Sequence, residues 1–280
     1  MFEERLEFVK NLAREAGRLT LEGFGQCGRL AKDGLDGYDI ATEYDFRAED
    51  LVKERLRQEF GEPVLGEEDG LIGDPETARH RLWIVDPIDG TFNYQSGLPY
   101  YAVSIAFCEE CVPVCGAIYL PALDELFFAA KGAGAFLTGR NLAVPLPLAV
   151  SQAREPEKLV ISLAGQGTYR LVAGCAAVGL PWRSLRLLLS AVASIAYVAA
   201  GRMDLFSDTA LSLWDCAAGD LLLQEAGGPA TFDYQGEPIF PGYVERWLTL
   251  GQRDKFSLVA ASSSEVFERT FRPILTAAGL

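Results

Sequence analysis

The stretch Leu82-Trp83-Ile84-Val85-Asp86-Pro87-Ile88-Asp89-Gly90-Thr91 runs from four apolar residues straight into two carboxylates three positions apart. The apolar run, with its β-branched and aromatic residues, predicts a buried strand. Beyond it, Pro87 fixes φ at a corner and has no N–H to leave unpaired, while Gly90 permits a positive φ or a close approach of the backbone to a ligand. The segment therefore reads as a strand ending in a tight turn that brings Asp86, the Ile88 carbonyl and Asp89 into one small volume. Oxygen ligands of this kind suit a hard divalent cation, and the amides of Gly90 and Thr91 suit a phosphate.

Two cations sharing a bridging carboxylate need more acids than one turn holds. The chain carries them upstream at Gly66-Glu67-Glu68-Asp69-Gly70 and far downstream at Leu213-Trp214-Asp215-Cys216-Ala217-Ala218-Gly219. Each piece alone has a plainer reading: a solvated turn, an exposed acidic loop, and an Asp215 N-cap ahead of a tightly packed helix. Three such pieces in one chain point to a shared site.

Composition narrows the classes of partner. The chain has 280 residues, of which 49% are apolar, enough for one large or two modest cores. Its net charge of −14, from 25 basic and 39 acidic residues, argues against nucleic-acid backbones and anionic membranes. Residues 1–25 carry acids throughout and lack the apolar core of a secretory signal, and the longest apolar stretch, Leu187 to Gly201, is too short for a span. The six cysteines do not form a secreted disulfide framework, so a reducing cytoplasm is expected. Cys108, Cys111 and Cys115 fall across a hairpin without a fourth ligand, and Cys27, Cys175 and Cys216 read as packing residues. The single histidine, His80, sits in a charged loop without a partner at catalytic spacing, which speaks against histidine-based chemistry.

The remaining pattern alternates helix and strand. Phe2, Leu6, Val9, Ala13 and Ala16 mark the inner face of a first helix, and a second is expected from about Phe46 to Phe60, with Thr42 and Asp45 forming a capping box. Strands are expected at Val64-Leu65 and, forming an antiparallel sheet, at 102–107, 112–120, 126–130 and 135–137. Two prolines in Val144-Pro145-Leu146-Pro147 suggest a boundary between an N-terminal half, residues 1–147, and a C-terminal half, residues 148–280. Beyond it, helices are expected near 166–178, 187–201 and 215–225, the last capped at Gly227-Gly228, with strands near 158–161, 183–185, 204–206 and 258–261.

In Gly66-Glu67-Glu68, in Trp83 through Asn93, and in Trp214-Asp215 continuing to Glu225-Ala226-Gly227-Gly228, the chain resembles the inositol monophosphatase family, within the lithium-sensitive, Mg²⁺-dependent phosphatases. The resemblance implies an α+β or α/β fold layered α-β-α-β-α, and commonly a homodimer. It implies two or three Mg²⁺ ions per site, with Glu67, Asp86 and the Ile88 carbonyl binding the first and Asp86, Asp89 and Asp215 the second. By the same resemblance Gly90 and Thr91 offer amides to the substrate phosphate. Asp45, in Asp39-Ile40-Ala41-Thr42-Glu43-Tyr44-Asp45, pairs with the Thr91 hydroxyl to orient the attacking water, with Glu67 as a second candidate for activating it. Ser190, Ala191 and Asp208 would lie against the substrate alcohol.

The expected reaction is hydrolysis of a small phosphorylated metabolite, a polyol or sugar phosphate, with myo-inositol 1-phosphate first. Fructose 1,6-bisphosphate and histidinol phosphate are close rivals, and 3′-phosphoadenosine 5′-phosphate is a weaker one. A non-catalytic interaction protein on the same fold is the alternative of a different class. Two departures bear on substrate: Leu189 stands where the family commonly has a glycine, and the segment from Gly236 to Phe256 looks longer than usual.

Overall fold

The computed structural model describes residues 2–26, 30–31, 40–165, 167–179, 183–250 and 255–280; Cys27 and Asp39 lie outside the described residues. An eight-stranded sheet runs in the order Leu146–Pro147, Gly134–Gly139, Glu125–Ala130, Val112–Leu120, Ala102–Glu109, Arg81–Asp89, Val64–Gly66, Gly70–Ile72. Its pairs are antiparallel except for the parallel pairing of Val64–Gly66 with Arg81–Asp89. A four-stranded sheet runs Ser184–Arg186, Val160–Ala164, Leu205–Leu211, Phe256–Ala261, with only the last pair antiparallel.

Alternation along Arg81–Asp89 explains the layering, because successive side chains leave a strand on opposite faces. Trp83 and Val85 pack with Val9, Leu12, Val52 and Leu56 of the helices Phe2–Leu21 and Glu43–Phe60. Leu82 and Ile84 belong to a second core shared with Val192 and Ile195 of the helix Ala191–Ala199, Ala218 and Leu222 of the helix Ala217–Glu225, and Phe206 and Leu258 of the smaller sheet. On the far side of that sheet, Ile161, Leu163 and Val259 meet Leu171 of the helix Thr168–Val178 and Phe271 and Ile274 of the C-terminal helical segment. The result is the layered α-β-α-β-α arrangement that the family resemblance implied. Among the described residues no helix is long and apolar enough to cross a membrane.

Several boundaries differ from the expectations. The second helix starts at Glu43, and the capping box at Thr42 and Asp45 forms as read. Residues 187–190 stay out of the central helix, which is confined to Ala191–Ala199 because Ser190 caps it, accepting from the Ala193 amide at 3.2 Å. The helix expected from Asp215 begins at Ala217 with Cys216 in the capping position, so Asp215 is not its N-cap. At its other end Gly227 takes φ 86°. His80 ends the helix Pro75–His80 instead of lying in a loop, and pairs with Glu110 at the surface, 2.9 Å away. Leu146–Pro147 is an edge strand, where proline's missing donor is harmless, and residues 236–250 contain the helix Gly242–Leu250. Cys108, Cys111, Cys115, Cys175 and Cys216 are buried free thiols.

Candidate metal and phosphate site

The acids of Asp86-Pro87-Ile88-Asp89 do not sit on a turn beyond a strand, as the sequence suggested. The strand continues through Asp89. Residues three apart on a regular strand face opposite ways, which would separate the two carboxylates. Here Asp86 pairs with Ser104 and Asp89 with Ala102, three steps on one strand against two on its neighbour. That one-residue bulge, at the donorless Pro87, turns both acids toward the same side.

Asp86, Asp89 and Asp215 then come together, each offering a carboxylate oxygen within 4.8 Å of the others. Glu67 follows the strand Val64–Gly66, and its charge acts on all three. Burial holds the Asp86 carboxyl well above the usual carboxylate range, and the charges of Glu67, Asp89, Asp215 and Asp45 add to this. Burial likewise raises Asp215 strongly, with Asp89 and Glu67 contributing. Asp89 is pushed up to about 7 by burial, against the opposing pull of the Ser190 hydroxyl and the Val192 and Ala191 amides.

Among the described residues neither oxygen of Asp86, both buried, has a hydrogen-bond partner. An ionised carboxylate in that position is strongly unfavourable unless something positive joins it. The donor set is entirely oxygen, which fits a hard divalent cation. These residues therefore fit the metal that the sequence implied.

Around them the backbone is committed. Gly90 takes φ 87°, and a Cβ there would lie 3.0 Å from the Tyr100 carbonyl oxygen, so glycine is needed at this corner. The helix Thr91–Gln95 follows and stops before Gly97. The Thr91 hydroxyl lies 3.2 Å from the Ile88 carbonyl and 3.4 Å from Asp45 Oδ1. Asp45, fully buried, uses Oδ2 to accept from the Thr42 amide and hydroxyl at 2.7 and 2.6 Å.

Ser190 and Ala191, expected against substrate, direct their donors at Asp89: the Ser190 hydroxyl and the Ala191 and Val192 amides all donate to its carboxylate, the amides at 3.2 and 3.0 Å. Asn93 closes the Trp83–Asn93 signature, and no sequence pattern gives it a role of its own. Its buried Nδ2 donates to the carbonyls of Tyr100 and Leu188, each at 2.7 Å, and so ties the helix Thr91–Gln95 to the turn before Ser190.

A cleft of about 470 Å³ opens beside Asp89, lined among others by Phe92, Leu189, Leu211, Asp208 and Lys255. Burial raises the Asp208 carboxyl, while the Ala210 and Thr209 amides and the charge of Lys255 act the other way. Leu189 holds φ 56° and is half exposed. The left-handed backbone there explains physically why glycine suits this position. No local pattern in the sequence marked Lys255.

The chain matches the model of the inositol monophosphatase family over residues 1–272. It is 39% identical over 232 residues to an inositol-1-monophosphatase of Mesorhizobium japonicum, covering 80% of this chain and 83% of that protein. A Thermotoga maritima fructose-1,6-bisphosphatase/inositol-1-monophosphatase is 32% identical over 235 residues, with 84% and 86% covered. Among solved structures, a Thermotoga maritima IMPase superposes with a TM-score of 0.81 at 29% identity, covering 99% of this chain and 98% of that one. The chain belongs to the inositol monophosphatase family, whose members are metal-dependent phosphomonoesterases.

Proposed function

We propose that this chain hydrolyses a small polyol or sugar phosphate, with myo-inositol 1-phosphate as the leading substrate, using Mg²⁺ held by Glu67, Asp86, Asp89, Asp215 and the Ile88 carbonyl. The observation that carries this reading is the unsatisfied, buried carboxylate of Asp86 within reach of Asp89 and Asp215. Bound there, divalent cations supply the positive charge a phosphate dianion needs, acidify water and stabilise the departing alkoxide.

The chain's own groups do the rest. The amides of Gly90 and Thr91 hold the phosphate oxygens. The Thr91 hydroxyl donates to Asp45 and offers its own lone pairs to the attacking water, which fixes that water's orientation and gives its proton a path toward Asp45. Glu67 is the second candidate for the proton acceptor. Asp208 accepts from hydroxyls of the alcohol in the cleft.

A panel of phosphate esters assayed with Mg²⁺ tests the ranking: myo-inositol 1-phosphate, fructose 1,6-bisphosphate, histidinol phosphate and 3′-phosphoadenosine 5′-phosphate. Preference for inositol 1-phosphate supports it, and clear preference for the nucleotide overturns it. Absence of phosphate release from any of them, with a melting temperature indifferent to Mg²⁺, would favour a non-catalytic interaction protein.

A further inference from the structure

Glu49 and Lys53 have no part in the chemistry above, yet both are buried, 1% and 3% exposed. They stand one turn apart on the helix Glu43–Phe60, the spacing of an ordinary solvated surface pair that adds little to stability. What buries them is the acidic loop after Val64–Gly66. The Glu49 carboxylate accepts the backbone amides of Glu68 and Asp69, both at 2.9 Å, while Lys53 donates to its Oε1 and reaches Asp69 Oδ2 at 3.4 Å. On the other side of Glu67, a Cβ at Gly66 would lie 2.5 Å from the Glu49 carboxyl carbon, so the backbone presses directly on that group.

Glu67 is therefore bracketed by Glu49 in both directions along the chain. We propose that Glu49, with its charge compensated by Lys53, is a positioning residue that fixes the Glu67 loop for cation binding; this rests on the reading of Glu67 as a metal ligand. A carboxylate suits the task because it takes two adjacent amides at once. Lys53 is needed because a buried anion without a compensating charge would destabilise the folded loop. Asp45 lies one turn away on the same helix, so a single rigid element sets both the Thr91 partner and the Glu67 loop.

The test uses the full chain and Mn²⁺ as probe, titrated calorimetrically into wild type, Glu49→Gln, Glu49→Asp and Asp86→Asn, with circular dichroism to confirm folding. Glu49→Gln removes the charge, and Glu49→Asp keeps the charge but shortens the reach by one methylene. Both are expected to raise the Mn²⁺ dissociation constant about 10- to 100-fold, as loss of groups behind metal ligands commonly does. The half-saturating Mn²⁺ concentration in the assay should rise in parallel, with a smaller change in substrate KM. A folded Glu49→Asp protein with the wild-type dissociation constant overturns the positioning role, even if it melts earlier, and decides the matter should Glu49→Gln fail to fold. If Asp86→Asn loses binding while both Glu49 variants keep it, only the positioning role fails. If wild type binds no Mn²⁺, the metal reading falls and takes this inference with it.

Discussion

The Ser190 hydroxyl donates to the Asp89 carboxylate from the first position ahead of the helix Ala191–Ala199, so one expected metal ligand is also the anion seated on a helix N-terminus. Two amides of that helix complete the seat. The same serine accepts from the Ala193 amide. Ser190→Ala therefore removes a charge-assisted donor and a helix cap together, and should lower stability by about 2 kcal/mol in urea unfolding without metal. A loss below about 0.5 kcal/mol would mean the hydroxyl does not hold Asp89 in place.

Asp45→Asn keeps an oxygen for Thr42 but turns a donor toward the Thr91 hydroxyl. That hydroxyl must then accept from the amide, and it no longer offers the same lone pair to water. Turnover should fall about 10²-fold with KM within a few-fold, measured at saturating Mg²⁺. A rise in KM with turnover intact would place Asp45 in substrate binding instead.

Protonation of the carboxylate group gives the metal-free protein a characteristic pH dependence. The folded-state pKa of Asp86, Asp89 and Asp215 all lie above the ordinary value, Asp89 at about 7. Between roughly pH 4, where a carboxyl of the unfolded chain titrates, and 7, the native state binds more protons than the unfolded one. Stability present at low pH is therefore lost as pH rises through that window. In chelator, the melting temperature should drop from pH 5 to pH 8, and saturating Mg²⁺ should remove or reverse the trend. A metal-free melting temperature that climbs over this range would contradict the grouping of the acids.

Leu189→Gly tests the departure beside the cleft. The left-handed φ at Leu189 costs a β-carbon-bearing residue about 1–2 kcal/mol, and glycine gives back about 0.5–1 kcal/mol through unfolded-chain entropy. Stability should stay within about 1 kcal/mol of wild type. The removed side chain lines the cleft, so KM should change most for esters with the bulkiest alcohols. Identical KM ratios across the ester panel would show that Leu189 does not select substrate.

Much of the site was legible because its residues are local to short, apolar-flanked motifs. Glu67, Asp86, Asp89 and Asp215 each follow or interrupt a hydrophobic run, and the alternation of Leu82 to Val85 fixes which face each helix covers. What escaped depends on partners far away in the chain. The bulge at Pro87 is defined only by the register against Ser104 and Ala102. Ser190 and Ala191 sit where expected along the chain, but their bonds to Asp89 require two strands and a helix to be assembled first. Glu49 and Lys53 carry the pattern of a wet helix face, and only the folding of residues 66–70 onto them makes that pattern misleading.

Asp86→Asn, followed by its melting temperature with and without Mg²⁺ beside wild type, tests most directly whether these acids exist to hold cations. Without metal the variant should melt above wild type, because it removes a buried carboxyl that no described residue hydrogen-bonds and whose ionisation burial opposes. With Mg²⁺ the wild type should gain several degrees and the variant almost nothing. A wild type unmoved by millimolar Mg²⁺, or a variant stabilised by it as much as wild type, would contradict the metal-binding role on which everything else depends.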